Sequence, residues 1–242
     1  MRKPIIFPIE NTCAESLDNM NNCIPFYDGP IAKILVLFHF EFVYVCRFNQ
    51  WIFSEVARQN ARADAVVKHL ANLPDSEEQS EETCEMIAIG RSHILEGVRN
   101  IDLDIDGVSN LADQLTIVGL WAFAEKYLNR VYSQTIQKKL NSDVVLPKSE
   151  YKWDEFLKKY LDDLGVPLDK SDLYNDVNEC RLVNNAIKHG GVVSKKLASF
   201  PAFHGREGLE LETFTLETQR YCNAIYSFIG STADRCHKAY FS

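Results

Sequence analysis

The chain has no Cys-x-x-Cys pair, no zinc-ligand spacing, no glycine-rich phosphate loop and no nucleophile elbow. Its seven cysteines, Cys13, Cys23, Cys46, Cys84, Cys180, Cys222 and Cys236, form an odd and scattered set. No disulfide framework is expected from them, and free thiols fit a reducing cytosol. With 8 Pro and 11 Gly in 242 residues, collagen-like and low-complexity architectures are excluded. Positive charge is in deficit: 26 Lys and Arg stand against 34 Asp and Glu, a net charge of -8. The overall field repels phosphate, so any nucleic-acid contact has to come from a local patch. Long apolar runs are missing too. Residues 31–45 are strongly apolar, but Lys33, His39 and Glu41 interrupt them and Arg47 ends them, short of a membrane span. The N-terminal Met1-Arg2-Lys3-Pro4-Ile5-Ile6-Phe7-Pro8 starts basic, yet its apolar stretch is too short and too proline-broken for a signal sequence. A cytoplasmic protein that does not enter a membrane is expected.

What is present is ordinary for a globular chain: 46% hydrophobic and 25% charged residues. The length allows one large domain or two small ones and is ample for a hydrophobic core. We expect an irregular lead-in over residues 1–28, with Pro4, Pro8 and Pro25, and a single helical domain over 29–242. Asp28-Gly29-Pro30 reads as a helix start. Ile31, Ile34, Leu35, Phe38, Phe42, Val45, Ile52 and Val56 then follow helical spacing, on toward Leu73 and Pro74. The apolar alternation of residues 39–45 also suits a strand, but the length of the pattern favours a helix. Ser76-Glu77-Glu78-Gln79 is a capping-box pattern opening a second helix through Met86, Ile87, Ile94 and Val98. Residues 102–107 read as a loop, and a third helix runs from about Asn110 to Leu140. Trp153, Phe156, Leu157, Tyr160, Leu161 and Leu164 form the cleanest stripe, ended by Gly165 and Pro167. Ser171 is placed to cap the next helix, which Gly190-Gly191 stops. A Gly/Pro loop over 200–208, a short strand or hairpin near residues 209–214 and a last helix from about Leu216 to Lys238 complete the chain. The fold class is an all-α bundle.

Chemistry concentrates in Glu179-Cys180-Arg181-Leu182-Val183-Asn184-Asn185-Ala186-Ile187-Lys188-His189-Gly190. At about 100° per residue from Arg181, Asn184 lies near -60°, Asn185 near 40°, Lys188 near -20° and His189 near 80°. One helix face therefore offers a guanidinium, an ammonium, an imidazole and two amides, a set able to hold a phosphate by charge and hydrogen bonds. Such a face is also what a solvated surface or a dimer interface carries. Glu179 is available to pair with basic residues of the same helix.

This segment resembles the HEPN superfamily. Domains of that superfamily are helical bundles ending in a helix with Arg-Asn-x-x-x-His, more generally Arg, four to six residues, then His, often followed by Gly. Asn185 stands in the Asn position and His189 in the His position, while Asn184 stands where the pattern has Arg. Arg181, one turn earlier, is the nearby guanidinium. The order of the Trp121, Glu125 and Leu128 helix and the Trp153 to Leu164 helix also agrees. The resemblance implies metal-independent RNA cleavage without a cofactor, in a toxin or antiviral-defence setting. His189 would take the 2′-hydroxyl proton, Arg181 and Lys188 would bind phosphate, and Asn184 and Asn185 would orient it. It further implies a homodimer whose polar faces meet about a two-fold axis, with RNA, a nucleotide, an antitoxin or another protein as partner. A catalytically inactive HEPN-like module acting through protein association is the second reading.

Asp102-x-Asp104-x-Asp106-Gly107 with Asp113 has the ligand order of a calcium loop. Against calcium stand the short Asp113 in place of Glu, Ser109 in the apolar position and the lack of a second loop. We expect an acidic connection capping the next helix, with no metal bound. The acidic run from Glu77 through Glu78, Glu81, Glu82 and Glu85 suits a helix N-terminus. His39 and Glu41 read as a satisfied core pair. His204 sits in a loop that nothing in the sequence ties to a site.

Overall fold

The computed structural model describes residues 29–72, 81–141 and 152–241. Among them the fold is an all-α helical bundle. Its α-helices are α1 (Pro30–Ala71), α2 (Glu81–Leu140), α3 (Trp153–Leu164), α4 (Tyr174–Lys188) and α5 (Thr218–Tyr240). Single 3-10 turns at Leu168–Lys170, Leu197–Ser199, Pro201–Phe203 and Leu211–Thr213 punctuate the second half. The lead-in over 1–28 and the capping box at Ser76 lie outside the described residues.

Pro30 occupies the first turn of α1, where its fixed φ suits a helix start and its missing N–H has no partner to lose. The expected stripe of α1 is the buried one: Ile31, Ile34, Leu35, Phe38 and Phe42 are all in the core. α1 and α2 are antiparallel, since positions that rise along one fall along the other. Phe38 packs on Tyr127 with ring centroids 5.1 Å apart, Val45 lies against Gly119, and Asn49 donates to Thr116 at 3.0 Å. α2 is central and packs on α1, α4 and α5. Fully buried side chains such as Ile117, Leu120, Leu128, Ile225 and Phe228 each contribute roughly 1.5–3 kcal/mol before the entropy of ordering them.

Two expectations are corrected. Residues 102–107 are helix, not loop: α2 runs unbroken through them for 60 residues. One internal glycine costs about 1 kcal/mol against alanine, too little to stop a helix that continues on both sides. Asp104 and Asp106 therefore do not converge: a helix places alternate residues on opposite sides and engages the backbone carbonyl that a calcium loop needs free. Asp113 is 3% exposed and accepts a hydrogen bond from the Thr218 hydroxyl at 3.3 Å. The strand near 209–214 is one antiparallel bridge, Val192 with Glu210, followed by the Leu211–Thr213 turn. Leu211 N–H reaches the Gly191 carbonyl at 2.7 Å, and the chain then curls so that the Leu211 side chain enters the core.

Before Ser109, α2 leaves the core as an arm in which nearly every described side chain is exposed, Glu85 of the acidic run included. No helix among the described residues is long and apolar enough to cross a membrane.

Candidate functional site at the end of α4

α4 is fixed by its two ends. Ser171 does not cap it directly; its Oγ accepts the Leu173 N–H at 3.4 Å and its carbonyl the Tyr174 N–H at 2.9 Å, a turn that leads into the helix. At the other end His189 is the C-cap, Gly190 takes φ 112, and Gly191 N–H returns to the Ala186 carbonyl at 2.8 Å. This is a Schellman closure, and it needs a residue at position 190 that tolerates positive φ. The Gly191 carbonyl is in turn held by Leu211. His189 thus sits on a pinned turn.

The polar residues of α4 are graded from buried to exposed. Asn184 is 1% exposed; its Nδ2 donates to Asn185 Oδ1 at 3.2 Å, and its Oδ1 is buried with no donor among the described residues. Arg181 is half-buried and spends its Nε and Nη2 on Asn178 Oδ1, at 3.0 and 2.9 Å. Burial pushes its guanidinium below the usual arginine range, while Asp154, Tyr174 and Glu125 pull it back up. It therefore lies where α2, α3 and α4 meet, within the field of Tyr174, whose ring stacks on Trp153. Lys188 and His189 are exposed. Arg181 and His189 are eight residues apart, about 12 Å along the axis at 1.5 Å per residue. The structure brings Asn184 to Asn185 and keeps Lys188 beside His189. It does not gather the five around one point.

No family model, curated protein or solved structure matches this chain.

The opposite face of α4 holds what the sequence did not show. Glu179 is buried and pairs not with its own helix but with α5: Arg220 Nη2 donates to it at 2.5 Å and the Tyr221 hydroxyl at 2.6 Å. Arg220 also binds Asp176 and, at 2.5 Å, Glu217. Burial alone would lower the Arg220 guanidinium, but the hydrogen bonds it donates to Glu179 and Glu217 raise it above its ordinary value. Burial and the Glu179 carboxylate raise the Tyr221 phenol as well. A cleft of about 570 Å³ opens here, between Asp176, Glu179, Glu217 and Arg220 and the Ser199, Phe200 and Pro201 segment. With three carboxylates to one guanidinium it does not attract phosphate.

The other candidates separate. His39 is buried, with Nδ1 3.0 Å from the Tyr226 hydroxyl, whereas Glu41 points away and binds Lys126 at 2.5 Å. They are not a pair, because residues two apart on a helix face different sides. His204 is exposed just past Phe203 and does not line the cleft. Among the described residues no group of three or more His, Cys, Asp or Glu is placed to hold a metal.

Proposed function

We propose that the chain is a HEPN-like, RNA- or nucleotide-directed protein that cleaves RNA without a metal, in a toxin or antiviral-defence system. The observation that carries the reading is the end of α4: Lys188 and His189 exposed together on a Schellman turn, one turn beyond the buried Oδ1 of Asn184, which has no donor among the described residues. An exposed imidazole can reach a 2′-hydroxyl, and a neighbouring ammonium can neutralise the phosphate it attacks. In this scheme a His189 ring nitrogen takes the 2′-proton and the 2′-oxygen bonds to phosphorus. The bond to the 5′-oxygen breaks, and that oxygen takes a proton from water. Asn185 orients the phosphate through its amide. Arg181 acts from about two turns away by its field, since Asn178 holds its guanidinium.

A second reading, an inactive module working by protein association, is favoured by the burial of Asn184 in the expected arginine position and by the engagement of Arg181. The two are separated by incubating micromolar protein with mixed RNA in EDTA. Cleavage with 2′,3′-cyclic phosphate ends that His189→Ala abolishes is the expected result. Intact RNA throughout, from protein shown to be folded, overturns the nuclease reading in favour of the module.

A further inference from the structure

α1 carries a second apolar stripe, on the side away from the core. Leu37, Phe40, Tyr44, Phe48 and Trp51 are between 45% and 70% exposed. At 150–250 Å² per aromatic side chain, these five leave on the order of 600 Å² open, and Leu111 and Leu115 of α2 bring it near the roughly 800 Å² that each partner gives a standard interface. Between Tyr44, Phe48, Leu115 and Phe123 lies an apolar groove of about 280 Å³ with Gly119 in its wall. The spacing of the stripe is a palindrome about Tyr44. Leu37 and Trp51 are equally far from it, and so are Phe40 and Phe48. Continuing outward, Lys33 and Glu55 are again equidistant, and both lie on this face. At about 100° per residue, all seven positions fall within roughly 40° of the Tyr44 direction.

We propose that α1 packs antiparallel against α1 of a second copy of this chain, about a two-fold axis through Tyr44. Antiparallel pairing in that register sets Leu37 across from Trp51 of the second copy, Phe40 across from Phe48, and Tyr44 across from itself. Lys33 meets Glu55, whose carboxylate also holds Arg58 and Gln59 of its own helix, at both ends of a seam about 33 Å long at 1.5 Å per residue. A parallel arrangement would instead oppose Lys33 to Lys33 and Glu55 to Glu55, so charge selects the antiparallel one. Spacings that return after eleven residues drift by only about 20° per repeat, so the seam winds slowly and in the right-handed sense. An isologous contact uses each pairing twice, which a self-complementary stripe satisfies and an unrelated partner has no reason to match. An anionic membrane surface is a poor occupant for a chain whose net charge is -8. α4 packs chiefly on α2 and α5, so this interface differs from the meeting of polar faces that the family resemblance implies.

The test is sedimentation of the full chain from nanomolar to high micromolar concentration. We expect a dimer in the wild type and at least a 100-fold rise in its Kd in Tyr44→Glu, which places two carboxylates on the axis. Trp51→Ala is a milder second variant, expected to weaken the dimer about tenfold, and far-UV circular dichroism checks that both keep their helix. Lys33→Glu and Glu55→Lys should each raise Kd several-fold, and the double variant should return it to near the wild-type value. A wild type that stays monomeric, or a dimer indifferent to Tyr44→Glu and Trp51→Ala, overturns the proposal. Failure of the double variant to rescue the single ones overturns the register.

Discussion

Replacing Glu179 by Gln keeps the shape of a buried side chain while removing the charge that ties α4 to α5. Arg220 Nη2 and the Tyr221 hydroxyl both donate to Glu179 Oε1, so a glutamine oxygen placed there can still accept from both, but it is neutral and the charge-assisted bond to the guanidinium is lost. A hydrogen bond to a charged group contributes about 1.5–3 kcal/mol, and breaking a fully buried pair costs about 3–5 kcal/mol. The lower range applies here. The Arg220 side chain is 30% exposed and keeps Asp176 and Glu217, so it is not left without a carboxylate. We expect Glu179→Gln to lose about 2–3 kcal/mol, which at about 2–4 °C per kcal/mol for a domain of this size lowers Tm by roughly 5–10 °C. Urea unfolding followed by far-UV circular dichroism measures it, with an unchanged m value showing that the unfolded reference is the same. Arg220→Met should cost at least as much, because it leaves three carboxylates facing one another. The double variant should then be less unstable than the sum by about 1 kcal/mol or more. A Glu179→Gln protein within about 0.5 kcal/mol of wild type, or a coupling near zero, would refute the idea that this pair holds α4 in place.

Three further outcomes follow from the geometry. Gly190→Ala should cost about 1 kcal/mol or more in the same urea experiment, since φ 112 strains any side chain; an unchanged midpoint would mean the α4 turn relaxes freely. Burial lowers the His39 imidazole from its ordinary 6.5, so the unfolded chain takes up that proton first as the pH falls. The stability linked to His39 is thus present above about pH 6.5 and is lost on acidification, and His39→Gln should flatten the fall in Tm between about pH 7 and about pH 5. An equal fall in the variant would assign that loss to other groups. Calcium added after EDTA treatment should leave Tm within about a degree, whereas a saturable rise removed by Asp104→Ala would show ligands converging despite the helix.

The helices themselves were written in the sequence. Periodicity located α1, α3, α4 and α5 to within a few residues, and glycine marked the ends of α3 and α4, because a helix start, stripe and stop are set by neighbours three or four positions away. The same local logic found the polar turn at Lys188 and His189. It failed where two local signals competed. Three aspartates and a glycine resemble a loop, yet the helix on either side of residues 102–107 carries straight through. Partners distant in the chain were beyond its reach: Arg220 lies 41 residues from the Glu179 it binds. Whether an amide on a polar face is buried, as Asn184 is, depends equally on what packs over it. α1 shows the division most clearly. It has one apolar stripe through Phe38 and Phe42 and another through Tyr44 and Trp51, both helical in period. Only the docking of α2 decides which of them becomes core and which is left facing outward.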